Sequence, residues 1–420
     1  MTEYRTRVVD GILDAQLRAV GCVVIEGPKA VGKTATAARR AASEVRLDVD
    51  VNAREVARAD PSLVLEGAAP RLIDEWQIVP DVWNHVRRAV DDIGQPGQFI
   101  LTGSTAASED SARHSGAGRM SRLAMRPMSL LESGHSTGTV SLRDLFDGSP
   151  ARAQPPGSTT TDLIDWLCIG GWPAHVASSV RDAQAAHRAY LAELARVDMR
   201  VVDGVRRDPQ RVQRVLRSLA RNVATEAETT TIARDTSLPP GDASVGRLTV
   251  DDYLDALARL MITEDLGAWT PSIRSRARLR SKPVRHLADP CLAVAALRAS
   301  PKALLADWNY TGLLFENMAL RDVRVYLDAI GGTTYHYRDS NGLEVDIIAE
   351  LDDGRWGAIE VKLGGNRIEE GAESLTRFAQ TVDLDAVGHP SFLAVLTGAN
   401  AYATRRPDGI DVIPIASVGP

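Results

Sequence analysis

Gly27-Pro28-Lys29-Ala30-Val31-Gly32-Lys33-Thr34 follows the spacing G-x-x-x-x-G-K-[ST]. In that pattern backbone amides wrap phosphates, the lysine reaches the outer phosphoryl groups and the terminal hydroxyl holds Mg²⁺. The flanks agree with the loop. Cys22-Val23-Val24-Ile25-Glu26 before it is a short apolar run with β-branched residues and reads as a buried strand; Ala35 to Ala42 after it is rich in helix formers. A strand, a glycine loop and a helix start in that order aim free amides and the positive helix end at an anion. All eight residues, Gly27 to Thr34, are therefore candidate phosphate-binding positions, and Thr34 is also a candidate metal ligand.

The rest of the composition narrows the class without naming a partner. A chain of 420 residues, 44% hydrophobic and 25% charged, is expected to divide into two or three ordinary globular domains. With 49 basic against 55 acidic residues the formal charge is −6, so any polyanion or membrane site must be a local patch. Cys22, Cys168 and Cys291 lack metal-ligand spacing and read as reduced thiols of a cytoplasmic protein. The charged N-terminus lacks a signal-peptide core, and no stretch has the length of a membrane helix, so no membrane partner is expected.

Residues 7–20 read as a short helix leading into the first strand, and downstream of the loop the next informative stretch is Arg71-Leu72-Ile73-Asp74-Glu75-Trp76. It delivers two acids to a strand's carboxyl end, where an aspartate can hold Mg²⁺ and a following glutamate can polarise the attacking water. Asp74 is assigned to the metal and Glu75 to the water. A third strand, Gln98 to Leu101, ends in Thr102-Gly103-Ser104, and Thr102, with Ser104 second, could bond the γ-phosphate or the lytic water. Arg119 after Gly116-Ala117-Gly118 is a candidate γ-phosphate sensor or arginine finger, with a solvated surface arginine as the alternative.

Residues 133–161 turn rich in Gly, Ser, Thr and Pro and read as linker or surface loop. The middle is helical: 163–205 with interruptions, a helix through Val212 to Leu219, a second at Thr230–Arg234 and a third at Leu248–Leu260, with Met261–Leu266 as a strand after it. Asp251, Asp252 and Asp255 on the third helix oppose docking on DNA. Arg274, Arg276, Arg278, Arg280, Lys282 and Arg285 form the densest basic run, either a phosphate track or a charged sheet edge.

Near the C-terminus Asp352-Asp353-Gly354 marks a turn between two strands. Centred there, a hairpin sets Asp346 opposite Glu360 and Glu344 opposite Lys362, with Val345, Ile347, Ile359 and Val361 on the other face. Two facing acids repel unless a positive group lies between them, so Asp346 and Glu360 are candidate metal ligands and Lys362 a holder of water or phosphate. The arrangement resembles the D…E-x-K core of restriction-endonuclease-like nucleases, with Glu316 as a further member; a solvent-facing hairpin tied by Glu344 and Lys362 is the alternative.

Taken with GPKAVGKT, LIDEWQ, FILTGS and Arg126-Pro127-Met128-Ser129-Leu130, the later stretches Gly170-Gly171-Trp172-Pro173, Asp198-Met199-Arg200, Leu314-Phe315-Glu316-Asn317 and Ile359-Glu360-Val361-Lys362 resemble the prokaryotic AAA-type P-loop ATPases that carry a C-terminal domain of unknown function 4143. Trp76, where a small aliphatic residue is usual, and the insert 238–246 depart from the pattern. The resemblance implies an α/β chain: an additional-strand P-loop NTPase domain at 1–135, a linker at 136–160, a helical and winged-helix-like region at 161–285 and a restriction-endonuclease-like domain at 286–420. It implies ATP and Mg²⁺ as cofactors. The expected activity is Mg-dependent ATP hydrolysis coupled to a nuclease-like domain; the alternative is a nucleotide-gated regulator or protein-binding module whose nuclease-like domain is inactive. Expected partners are ATP and, through Arg274–Arg285 and the C-terminal domain, DNA or RNA, with a homo-oligomer allowed for.

Overall fold

The computed structural model describes residues 4–103, 115–155, 157–202, 204–237, 244–270, 282–339 and 341–420. The chain forms two compact units, one of Met1–Pro127, Val197–Arg206 and Ala256–Ile262, the other of Met128–Arg196, Arg207–Asp255 and Thr263–Pro420.

In the first unit α1 (Val8–Ala19) leads into β1 (Cys22–Glu26), followed by α2 (Lys33–Ala38), β2 (Ser43–Arg46), α3 (Val51–Ala59), β3 (Arg71–Asp74), α4 (Val82–Ile93), β4 (Phe99–Gly103) and β5 (Met120–Ala124). The five strands run parallel in the order β2-β3-β4-β1-β5. A parallel sheet has both faces covered, which is why β1 and β4 are largely apolar and buried almost throughout. β4 separates the loop strand from the acid strand, the additional-strand order. Trp76 fills the core rather than disturbing it: it is 1% exposed and its ring lies 5.1 Å from that of Trp83, among Val82, Val86 and Ile73. β2 and β5 are short, half-exposed strands without strong periodicity, and the sequence gives no clear sign of either.

The second unit opens with a helical turn at Leu130–Ser133 and continues into residues expected as linker. These are not bare loop: they form β6 (Val140–Ser141) and a short helix at Leu142–Phe146, whose Leu142, Leu145 and Phe146 are buried. Helices α5 (Thr160–Ile169), α6 (Val180–Glu193), α7 (Pro209–Arg221) and α8 (Thr229–Asp235) follow. α9 (Arg247–Arg259) begins in this unit and ends in the first. α10 (Pro290–Leu297), apolar all round, is buried from Pro290 to Ala295 and packs on α5, α6 and α7. The strand expected at Met261–Leu266 is absent. Met261 takes φ 54°, which turns the chain, and only isolated bridges remain, Thr263 to Leu287 and Leu266 to Val284.

α11 (Trp308–Ile330) then leads to β7 (Gly332–Arg338), β8 (Glu344–Leu351), β9 (Trp356–Lys362), α12 (Ile368–Thr381), β10 (Phe392–Thr397), β11 (Thr404–Arg405), β12 (Asp411–Pro414) and β13 (Val418–Gly419). Six of these strands make a mixed sheet in the order β11-β12-β10-β9-β8-β7. β13 pairs separately with β6. β9 and β10 are parallel and joined through α12, whose Ala372, Leu375 and Phe378 pack on Ile348, Ala358 and Val395. The hairpin register has Ile347 facing Ile359 and Glu350 facing Trp356, the pairing expected for a turn centred on Asp353.

Candidate functional site

The phosphate loop is shaped by two constraints on its backbone. Gly27 leaves β1 where an added Cβ would lie 2.2 Å from the Met125 carbonyl oxygen, and Gly32, the residue before α2, holds φ 102°. Arg7, 5% exposed, braces the loop by donating to the Val31 carbonyl at 2.9 Å and to the Arg126 carbonyl at 2.8 Å. Nothing in the sequence around Arg7 marked it for this role, because its acceptors are backbone atoms brought in by the fold.

Lys33 is buried, and its Nζ donates to the carbonyls of Gly27 at 2.9 Å and Pro28 at 2.8 Å. Burial lowers its pKa to about 8, against the opposing pull of Glu75 and Asp74. Thr34 Oγ1 donates to Asp74 Oδ1 at 2.8 Å, and Thr102 Oγ1 donates to the same carboxylate oxygen. The second contact follows from the sheet, where Asp74 and Thr102 are register partners on β3 and β4. Glu75 has φ 53°, a left-handed conformation that side-chain-bearing residues seldom hold outside functional turns. Gln77 donates to its carboxylate, and burial raises the Glu75 pKa. Hydroxyl and carboxylate oxygens suit Mg²⁺, and Thr34 and Asp74 are the residues here that would hold it.

These groups border a cavity of about 740 Å³ lined by Lys29, Lys33, Thr34, Glu75, Gln77 and Asp198 among others, within the range of small-ligand pockets. Asp198 ends a π-helical turn over Leu194–Asp198, and its side chain is ion-paired with Lys29. Its place in the cavity was not legible, since more than 160 residues separate it from the loop; it entered the sequence reading only through family resemblance. π-turns recur at functional sites, but no sequence spacing predicts one here.

Arg119 is not brought to this cavity in its own chain. Its carbonyl accepts from the amide of Cys22 at the start of β1, whereas the phosphate loop follows the end of β1, and its guanidinium pairs with Asp91 of α4. Ser104 and Arg274, Arg276, Arg278 and Arg280 lie outside the described residues. The two described members of the basic run are neutralised, Lys282 by Glu228 and Arg285 by Asp265.

In the second unit β8, β9, α11 and α12 gather Asp346, Glu360, Lys362 and Glu316. Asp346 Oδ2 accepts from the Val361 amide at 2.7 Å, so the side chain takes over a ladder bond where the hairpin approaches its open end. Lys362 Nζ lies 2.6 Å from Glu360 Oε2, and Ser374 donates to Glu360 Oε1 at 3.1 Å. The expected alternative tie between Glu344 and Lys362 does not form; Glu344 pairs with Arg338 at 2.8 Å. Burial, reinforced by Asp346, pushes Glu360 up to about 8, and burial likewise raises Glu316 and Asp346. In this structure the positive group beside the acids is Lys362. Among the described residues no three His, Cys, Asp or Glu side chains are arranged as a metal cage. The oxygen donors nonetheless match a hard cation, which would offset the burial that raises their pKa values. The cleft they line is about 510 Å³ and also presents Glu370, Arg377 and Glu344.

The parallel sheet, the loop and the Thr34–Asp74–Thr102 cluster define a P-loop nucleotide-binding protein. Residues 20–133 match the family model described as an AAA domain, and residues 311–418 match a domain of unknown function (DUF4143). The chain thus carries an AAA-type domain at 20–133 and a DUF4143 domain at 311–418, and residues 160–303 match a further domain of unknown function (DUF8612). Two uncharacterized proteins, of Mycobacterium bovis and Mycobacterium tuberculosis, are each 27% identical over 344 residues, 81% of this chain and 70% of theirs. The Aeropyrum pernix ORC2 protein (ADPNP-ADP complexes) aligns with 73% of this chain and 98% of its own at 13% identity and a TM-score of 0.32. For the A. pernix ORC1 protein in complex with DNA the figures are 73%, 96%, 14% and 0.27. Overlaps this low define no common fold. No helix among the described residues is long and apolar enough to cross a membrane.

Proposed function

We propose that the chain is a Mg-dependent ATPase whose nucleotide occupies the first unit and whose C-terminal domain, 286–420, is of the PD-(D/E)xK type and acts on or holds nucleic acid. The single observation that carries the ATPase reading is the convergence of Thr34 and Thr102 on Asp74 beside Lys33. Bound Mg²⁺ would neutralise phosphate charge there and polarise the outer phosphoryl group. The loop amides and Lys33 hold the phosphates, Lys33 exchanging its two carbonyl acceptors for phosphate oxygens. Thr34 and Asp74 would anchor the metal. Glu75, set apart from the loop by its own turn, orients water for in-line attack, and Thr102 fixes the Asp74 carboxylate.

In the second unit Asp346 and Glu360 are proposed to hold a divalent cation and Lys362 to position water or a phosphate oxygen. One observation favours the second reading, a nucleotide-gated regulator or protein-binding module: Lys362 is already bound to Glu360, and Glu344, Glu360 and Glu370 make the cleft largely acidic.

Two assays test these roles. ATP turnover should fall at least about a hundredfold in both Lys33→Ala and Glu75→Gln, through weakened nucleotide binding in the first and with binding retained in the second; full turnover in both would remove the assignment. Divalent-dependent cleavage of single-stranded and duplex DNA and RNA should be abolished by Asp346→Ala and Lys362→Ala, whereas wild-type protein that cuts none of them would select the binding module.

A further inference from the structure

Lys29 stands in the middle of the glycine loop, four residues before Lys33, and lines the cavity in which the nucleotide is proposed to sit. Its side chain is 45% exposed and is ion-paired with Asp198, whose side chain is 7% exposed. The two loop lysines are close enough for the charge of Lys29 to add to the burial that holds the Lys33 pKa down. Two ammonium groups that repel each other across a cavity suit a ligand with several negative charges. Without one, the chain supplies the partners itself: the Gly27 and Pro28 carbonyls take Lys33, and the Asp198 carboxylate takes Lys29.

Asp198 therefore occupies a cation that a phosphate oxygen would otherwise use. The two lysines share the cavity with the carboxylates of Asp48, Glu75 and Asp198, so an entering polyphosphate meets an excess of like charge unless one acid gives way. Asp198 is the acid built to do so. Its pair with Lys29 is neither fully buried, which would lock it, nor fully exposed, which would make it negligible. The backbone that carries it is anchored by other groups: Met199 is fully buried, and the Val202 carbonyl accepts from Arg259 at 3.0 Å. Asp198, Val202, Arg259 and the loop all belong to the first unit. Exchange of Lys29 from carboxylate to phosphate thus needs side-chain rotation and no unfolding. Glu75, proposed to orient the attacking water, lines the same cavity, which puts the outer phosphates on the side of this pair.

We propose that the Lys29 ammonium is a second side-chain ligand of the outer phosphates and that Asp198 is its exchangeable counter-ion, a carboxylate of the chain that competes with the nucleotide and is released when the triphosphate seats. The inference rests on the nucleotide reading of the loop and adds to it a pair that sets affinity and favours triphosphate over diphosphate. Full-length protein with Mg²⁺ is titrated by calorimetry with a non-hydrolysable ATP analogue and with ADP. Asp198→Asn keeps the shape of the side chain and removes its charge, and should tighten binding of the analogue about fivefold or more. Lys29→Gln should weaken it by at least as much and narrow the preference over ADP. Lys29→Arg should keep both affinity and preference, which shows that the glutamine effect is not misfolding. A pair that only fastens residues 197–206 to the loop would behave differently. Asp198→Asn would then lower the urea midpoint of ligand-free protein and leave affinity unchanged or weaker, and that result would overturn the proposal, as would unaltered affinity in Lys29→Gln. Loss of binding in Lys33→Ala alone, with Lys29→Gln and Asp198→Asn like wild type, would strike this proposal and leave the nucleotide reading standing. Binding by neither wild type nor Asp198→Asn would remove both.

Discussion

Lys33 is a buried charge in the glycine loop whose partners are carbonyl oxygens, and its proposed ligand is a phosphate. Its carbonyl partners Gly27 and Pro28 do not replace a counter-charge, so burial depresses its pKa to about 8. An unfolded lysine keeps its proton to about pH 10.4. Between these values the unfolded chain binds more protons, so the penalty this lysine imposes on the free protein is full below about pH 8 and is relieved as the pH rises toward 10.4. A phosphate reverses the shift by favouring the charged form. Nucleotide binding at about pH 9 should therefore take up close to one proton, and affinity should decline above about pH 8. Calorimetry in buffers of different ionisation enthalpy measures the uptake; it should vanish in Lys33→Met. Asp198 is the second residue of interest, because its pairing with Lys29 puts an anion of the chain itself at the mouth of the cavity.

Among the elements, α10 and α11 depend on charges buried in the second unit. Asp289 caps α10 through the Cys291 amide at 2.9 Å and accepts from the Gly171 amide at 2.9 Å; Asp322 accepts from the Leu130 amide at 3.1 Å. Arg321 lies between them, 2.6 Å from Asp289 and 2.7 Å from Asp322, all three side chains at most 3% exposed. Removing the central cation would strand two carboxylates in the interior. Arg321→Ala is expected to cost about 3–5 kcal/mol, read as a lower urea midpoint; a destabilisation below about 1 kcal/mol would show that the carboxylates find other partners or take up protons. The β8–β9 hairpin is different. Its acids crowd at the open end, where Asp346 accepts from the Val361 amide, so the charges of that element gather at its candidate site.

At the scale of the molecule, the first unit is assembled from three separated pieces of chain, and the segment 197–206 that carries Asp198 is flanked in sequence by residues of the second unit. A change at Asp198 on nucleotide binding thus has a covalent route into the helical region. Binding to the first unit alone should stabilise that unit by about 2.7 kcal/mol at a hundredfold excess over Kd. Scanning calorimetry should then show one transition rising by roughly 5–10 °C with Mg-ATP, and no rise in Lys33→Ala. Equal movement of every transition would mean that the two units unfold as one.

Local sequence by itself determined the glycine loop, the acid pair at the end of β3, the hydroxyl near the end of β4 and the register of the terminal hairpin. Each depends on neighbours within a few residues or on the period-two alternation of a strand, and such information survives in one dimension. Only the tertiary structure decided which of these residues meet. It put Asp74 beside Thr102 through sheet order, sent Arg119 to the opposite end of β1, gave Lys362 to Glu360 instead of Glu344, and brought Asp198 and Arg7 to a loop they do not adjoin in sequence. Apart from Glu360 and Lys362, two residues apart on one strand, those contacts arise from parallel crossovers and burial, whose partners are selected by packing across many intervening residues, so no local pattern encodes them.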